Sequence, residues 1–496
     1  MRLVVASAVL VVLVGWIVAP VSGAGFDYAG IGTKARGMGG AFRAIADDWT
    51  AAYYNPAGYA LALDNQLGGA VGLFHLRHEL NPNYRWGGQY EPGAFDPTCF
   101  NRHEILSVPA TGFIVRLPVW GETVFGLSAY QTFDYNITWE LYQPLGGYNP
   151  NVEAPEDQYQ NNLDVVAFQL TAAREFLEDQ LALGVGIQVL RGDLVFNNVL
   201  FREHPLAGVP GWDPEIYARP REKIQVLNYN NGRGWGGGLT AGALWTLNET
   251  VRVGATVRFP FQITIKGEAL SAHIMPDAES LWKDHSSPEV KNPGSVGHLF
   301  LAGEVVNMYG DFETVLRLPP SVGLGVSFTP TERLTIALDA EYTFWSRFDG
   351  FKFAYTNHQV PVGPADTSAL VRNFLTADVS FPVDWNNTVK AMVGASYDVN
   401  PHLTLIGGGL IDQSPADDSK QFTPLFVDTG TKFGFSGGFI VHIDRWDLGL
   451  ATTYLHYPDL EVAAPADFGV DEDFVMFPGD YKADSYETLL SFNYRF

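Results

Sequence analysis

Few residues of this chain have the types and spacing for reaction chemistry. His75-Leu76-Arg77-His78-Glu79 offers two imidazoles and a carboxylate. Its spacing is not that of the zinc-binding helix motif, and in an alternating segment His75 and His78 point to opposite faces. Gly37-Met38-Gly39-Gly40 matches neither nucleotide fingerprint, follows no strand and precedes no Lys-Ser/Thr pair, so it reads as close-packing backbone. No serine or aspartate can be set beside a histidine on one face to make a hydrolase site. No catalytic residue, metal or cofactor is expected. Arg252, Arg258 and Lys266 share the polar side of one segment and could hold a carboxylate. Pairing with Asp339 or Glu341 is their competing use.

The elements that carry these residues are strands. In Thr250 to Ile265, the residues Val251, Val253, Ala255, Val257 and Phe259 alternate with Arg252, Gly254, Thr256 and Arg258. A period of two puts the two sets on opposite faces, and a helical period would mix them. Similar segments fall at 67–78, 105–117, 122–135, 163–175, 181–196, 236–247, 250–265, 319–329, 333–346, 388–398, 402–411, 433–443, 446–456 and 485–496. About ten residues cross a bilayer as a tilted strand. Short turns and long polar loops alternate between the segments without exception, beginning and ending with a long loop. The expectation is an all-β membrane protein, a 14-stranded antiparallel transmembrane β-barrel in a bacterial outer membrane, with short turns and both termini periplasmic.

The aromatic residues agree with that orientation. Trp120, Phe176, Trp245, Phe328, Tyr397 and Trp446 sit at the short turns and read as one interfacial girdle. Tyr130, Tyr342, Trp345 and Tyr454 lie near the other strand ends. Phe492, Tyr494 and Phe496 share a face and end the chain, as in the C-terminal signal read by the outer-membrane assembly machinery.

Bulk properties are compatible with this. Of 496 residues, 17% are charged and 14% aromatic, and mean hydropathy is near zero, too polar for a helix bundle in lipid. The net charge of -24 argues against nucleic acid as a partner. Acidic loops such as Asp417-Asp418 and Asp471-Glu472-Asp473 form a solvated outer surface, in contact with outer-membrane lipid and lipopolysaccharide. One cysteine, Cys99, rules out an intrachain disulfide framework. Arg2, the apolar run Leu3 to Val18 and Ser22-Gly23-Ala24 read as a signal peptide over 1–23.

Residues 24–66 do not alternate and are too long for a linker, so they read as a small, partly helical piece inside the barrel that comprises 67–496. Here the chain resembles the FadL/TodX family of outer-membrane transporters of long-chain fatty acids and hydrocarbons. The matching residues are Ala24-Gly25-Phe26, Gly37-Met38-Gly39-Gly40-Ala41, Ala46-Asp47-Asp48 and Asn55-Pro56-Ala57. Gly234 to Leu239, Leu318 to Val326, Leu334 to Asp349 and Gly394 to Tyr397 match as well.

The resemblance implies that 24–66 is a hatch in the lumen. Apolar ligands would be captured at outer loops and pass the hatch through an opening in the barrel wall. Phe26, Asn55 and Pro56 would be the hatch residues. Tyr130, Gln131, Phe133 and Tyr135, where strand 122–135 breaks alternation as at a bulge, would mark the opening. Loops 197–235 and 266–318 are longer than the family needs. The protein is expected to be a monomer. The alternative function is a structural or secretion-associated barrel with a protein partner.

Overall fold

The computed structural model describes residues 25–27, 30–82, 99–101, 105–117, 123–139, 159–177, 180–203, 223–274, 305–359, 373–416, 425–428, 430–462 and 479–496. The expected signal peptide, Trp120 and both acidic clusters named above lie outside them.

The wall strands are β1 (Gln66–Pro82), β2 (Ile105–Leu117), β3 (Thr123–Trp139), β4 (Tyr159–Phe176), β5 (Leu181–Glu203) and β6 (Lys223–Thr246). Four interrupted strands follow: β7 (Val251–Pro260 with Ile263–Ile274), β8 (Val305–Leu316 with Ser321–Thr331), β9 (Leu334–Thr343 with Phe351–Gln359) and β10 (Val379–Phe381 with Thr388–Asn400). The wall ends with β11 (Leu403–Asp412), β12 (Lys432–Ile443), β13 (Trp446–His456) and β14 (Gly479–Arg495). Each pairs antiparallel with the next, and β14 returns to β1 with Gln66 opposite Arg495 and Pro82 opposite Gly479. The wall is thus a closed 14-stranded barrel, built from the fourteen expected segments. Closure pairs the backbone groups that lipid could not satisfy.

The alternating residues sort as the period demands. Leu183, Val185, Ile187 and Val189 on β5 and Val322, Leu324, Val326 and Phe328 on β8 are exposed, while Ala182 and Gln188 turn inward and are buried. Such a continuous apolar outer face fits a bilayer. Phe176, Trp245, Phe328, Tyr397 and Phe496 are exposed near its short-turn edge. Tyr130 and Trp345, toward the strand ends away from the short turns, face the interior and are almost fully buried.

Several strands run far past their expected ends. The segments taken as loops 197–235 and 266–318 begin or end as ladder, with β5 and β6 paired from Leu181 opposite Trp245 to Glu203 opposite Lys223. Beyond the bilayer the outward face no longer meets lipid, so residues such as Arg191, Asp193, Asn231 and Arg233 replace the apolar row and the alternation signal disappears. Ladder pairing needs only backbone.

A second departure lies at one height in three neighbours. Pairing with β8 lapses at 259–262 on β7 and at 344–350 on β9, on either side of 317–320 of β8. The β6–β7 register also shifts by one, from Trp245 opposite Val253 to Trp235 opposite Thr264. One extra residue flips every later side chain. Arg258 faces inward and is buried, whereas beyond the bulge Ile263 and Ile265 take the inner face. Pro319 and Pro320 have no N–H, so two donors are absent where the ladder is missing.

The exposed belt makes a direct prediction. Leu324→Arg, at a 65% exposed position opposite Ala255 and Ala340, should lower refolding stability in lipid vesicles by about 2–4 kcal/mol. Lys266→Gln, above the belt, should change it little.

Candidate functional site

The lumen is filled by the N-terminal segment. Its elements are α1 (Thr33–Gly37), α2 (Ala51–Tyr54) and a 3-10 turn over Pro56–Leu61. Most of its residues, Trp49 and Tyr59 among them, are buried. The helices are too short to persist alone; the wall holds them. Arg36 pairs with Glu487 of β14 and Arg43 with Asp339 and Glu341 of β9, all nearly fully buried. The Phe42 and Arg43 N–H groups donate to Asp339 at 3.0 and 2.9 Å. Asn55 Nδ2 donates to the Arg43 and Ala243 carbonyls at 2.8 and 3.1 Å, and Asn55 Oδ1 accepts from Ala57 N at 3.1 Å. Pro56 opens the 3-10 turn. Gly242 admits this corner, since a Cβ there would meet Asn55 Oδ1 at 2.0 Å.

The start of the segment reaches the wall where it is incomplete. β3 pairs with β2 only from Leu117 opposite Thr123 to Thr111 opposite Ala129. From Tyr130 to Trp139 it pairs with β4 alone, with Thr132 as an inserted residue between Gln131 and Phe133. Among the described residues, its free edge is met by Phe26-Asp27: Asp134 N donates to the Phe26 carbonyl at 2.8 Å, and Asp27 bridges to Phe133.

Three consecutive residues are gripped there. Gly25 N donates to Asp428 Oδ2 at 3.1 Å, and Asp428 pairs with Lys432 at 3.0 Å. Burial pushes the Asp428 carboxyl up, against the pull of Lys432 and the Gly25 N–H. Only glycine fits position 25: φ is +61° and a Cβ would lie 2.6 Å from the Trp345 ring. The Phe26 ring fills an aromatic cage, with centroids of Trp345, Phe348, Trp385 and Phe133 at 4.7, 4.9, 5.7 and 6.1 Å. Asp27 is held by Arg258 at 3.6 Å and Lys390 at 3.3 Å.

Beneath the plug, on the short-turn side, lies a cavity of about 830 Å³ bordered by Lys34, Asp47, Arg333, Asp398 and Asp447. Asp48 also borders it; burial and then the neighbouring Asp47 raise its carboxyl to about 6.

The residues singled out from sequence divide sharply. Tyr130, Phe133 and Tyr135 lie on the interrupted stretch of β3 together with Gln131. The Tyr135 hydroxyl accepts from Val427 N at 2.8 Å, while Gln131 turns to Asp164 on β4 at 2.9 Å. Arg252, Arg258 and Lys266 do not converge. Arg252 and Arg258 stand six positions apart on one strand, about 20 Å. Lys266, expected on the lumen face, points outward beyond the β7 bulge and pairs with Glu313 at 2.7 Å. Arg258 pairs with Asp27 rather than with Asp339 or Glu341, which Arg43 occupies. Gly434-Phe435-Ser436-Gly437-Gly438 has the spacing of a hydrolase elbow. Ser436 sits mid-strand, however, accepting from Gly39 N at 2.9 Å and donating to the Gly37 carbonyl at 3.1 Å, so it anchors the plug.

A barrel of this kind has known counterparts. Residues 16–496 match the family described as outer membrane protein transport protein (OMPP1/FadL/TodX). The chain belongs to the FadL/TodX family. Members of this outer-membrane family are transport channels, not enzymes. The FadL/TodX fold is seen again in a Pseudomonas aeruginosa FadL homologue (TM-score 0.70, 18% identity, 95% of this chain and 100% of that one). The P. putida toluene transporter TodX is similar too (TM-score 0.66, 14% identity, 94% and 99%). A Neisseria meningitidis serogroup B protein named for the outer membrane is 24% identical over 255 residues, 51% of this chain and 49% of its own length. That match thus spans about half of the relative.

If the Asn55 bonds seat the plug, Asn55→Ala strands two buried carbonyls and one N–H. It should loosen 51–62 by at least about 1–3 kcal/mol, seen as faster amide exchange there with β1–β14 pairing unchanged.

Proposed function

We propose that this barrel takes up hydrophobic small molecules, long-chain fatty acids or hydrocarbons, by capture at its outer loops and plug-gated passage through the wall between β2 and β3. The observation that carries this reading is the double role of Phe26-Asp27. The same two residues fill the aromatic cage with the Phe26 ring and cover the free edge of β3 with their backbone. Withdrawing one short segment would open the pocket and the wall together.

Solvent preference supports a sideways exit. An apolar chain leaves water at about 0.8 kcal/mol per buried methylene. The cavity under the plug is bordered by charged groups such as Lys34, Asp47 and Arg333, a poor medium for such a chain, whereas a path through the wall between β2 and β3 would lead it to lipid. Tyr130, Phe133 and Tyr135 would line the inner side of that path and Gln131 its outer side. In this reading 24–66 is the hatch. The short turns and both termini face the periplasm, and Phe496, exposed at that rim, is what the assembly machinery reads. The protein acts as a monomer among outer-membrane lipid and lipopolysaccharide.

Phe26→Ala should change uptake of apolar compounds by cells several-fold while leaving the folded barrel intact on gels. Uptake of every apolar compound at the wild-type rate would remove the gating role. Mass spectrometry of the purified barrel should find retained apolar small molecules. A stoichiometric protein partner with no such ligand would favour a secretion-associated scaffold instead.

A further inference from the structure

The outer surface of the wall carries a charged groove just beyond the apolar belt. Register sets its first row. Asp193 of β5 stands opposite Arg233 of β6, Arg233 opposite Lys266 of β7, and Lys266 opposite Glu313 of β8. All four point outward, and the two facing cations, Arg233 and Lys266, are 71% and 70% exposed. Like charges directly opposite on neighbouring strands are destabilising. The carboxylates nearby are too few to cancel them. Arg191 and Arg233 share Asp193, at 2.8 and 3.6 Å, and Arg317 and Lys352 share Asp349. Arg347 is exposed and lies over the Phe259 ring. Six cations thus stand with Asp193, Glu313 and Asp349 on β5 to β9, in a chain whose net charge is -24. The row turns acidic only at β4, where Asp164 stands opposite Asp193.

Depth, shape and charge together specify an occupant. The cations lie at the edge of the belt: exposed Val189 and Trp235 are each two positions from Arg191 and Arg233, and Phe259 and Phe261 lie below Lys266. Lipid phosphates sit at that boundary, and arginine binds them bidentately. Arg233 with Lys266 and Arg317 with Lys352 make two cation pairs, two strand spacings or about 10 Å apart across the sheet. The surface is concave as well. Where β8 and β9 part, a cavity of about 750 Å³ is lined by Lys266, Glu313, Arg317 and Lys352, with Glu268 and Asp311 above them. Glu268 and Asp311 stand opposite each other, two residues or about 7 Å farther from the belt. Carboxylates only accept hydrogen bonds, so this upper level suits sugar hydroxyls. We propose that the groove holds a diphosphorylated glycolipid of the outer leaflet, the lipid A part of lipopolysaccharide. Its acyl chains lie on the belt, its two phosphates on the two cation pairs and its sugars against Glu268 and Asp311. The proposal rests on the orientation given above, with the long loops outside. A lipid held there also ties β8 to β9 beside 344–350, where the ladder does not.

The test titrates the full barrel in detergent with diphosphoryl lipid A, its dephosphorylated form and phosphatidylglycerol, read by native mass spectrometry. Wild type should hold one diphosphoryl lipid A and bind the other two at least about tenfold more weakly. Arg233→Gln combined with Lys266→Gln should weaken lipid A by at least about tenfold. Both side chains point away from the plug, and gel migration with and without heating checks that the variant folds. Arg77→Gln, which removes an exposed cation from β1, should leave binding unchanged. Undiminished binding in the double variant, an equal loss in Arg77→Gln, or equal binding of the three probes would overturn the proposal. Orientation is checked separately, with Gln359→Cys in a Cys99→Ser background and a membrane-impermeant maleimide on intact cells. Labelling only after lysis would overturn the orientation and with it the choice of an outer-leaflet lipid, whatever the titration gives.

Discussion

The structure depends on one constraint: in hydrocarbon, every backbone N–H and C=O must find a partner within the protein. It forces the strands to close, and Gln66 opposite Arg495 is where they do so. It also makes any gap in the ladder conspicuous. Where β7, β8 and β9 lose their pairing, Pro319 and Pro320 remove donors from the gap, and Phe344 N turns to the Pro320 carbonyl at 3.0 Å. Where β3 leaves β2, Pro109 lies on β2 just past the last pair, Thr111 opposite Ala129, and the β3 edge is met by Phe26-Asp27. The contact of Phe26-Asp27 with β3 and the breaks in the ladder answer to the same requirement.

The interior is organised by charge rather than by apolar fit alone. Arg36 with Glu487 and Arg43 with Asp339 and Glu341 are nearly inaccessible pairs that join the plug to β14 and β9, and Lys432 pairs with Asp428, which accepts from Gly25 N. Buried pairs add little net stability over an apolar substitute, but losing one partner costs about 3–5 kcal/mol. Their effect is to make one seating of the plug far better than others. That precision matters at Gly25, Phe26 and Asp27, where three adjacent residues meet a carboxylate, an aromatic cage and two cations.

Much of the wall was legible in the sequence because lipid imposes a rule on every second residue. Val251 to Phe259 and Leu334 to Tyr342 announce strands without reference to any other part of the chain. The rule ends with the bilayer. Above it, β5, β6 and the outer half of β7 continue as ladder with Asn and Gly on both faces, and a reading by alternation treats them as loop. Lys266 was misplaced for a related reason. The bulge at Phe261-Gln262 is a property of the register with β6, not of the residues themselves.

The candidate site residues show the same division. Phe26, Asn55 and Pro56 stand in a local motif, and the uneven alternation after Tyr130 signals the irregular strand. Asp27, Lys390, Asp412, Asp428 and the cage of Trp345, Phe348 and Trp385 have no local signature. Asp27 lies more than three hundred positions from the others, which come from separate strands and loops, and they meet only because the barrel brings its strands around one lumen. By itself, the sequence determined the number of strands, the face that regularly alternating residues present within the bilayer and a separate segment ahead of the barrel, since these depend on neighbours along the chain. Only the tertiary structure decided which cation meets which carboxylate and how far each strand pairs with its neighbours, because register and closure join residues that share no local pattern.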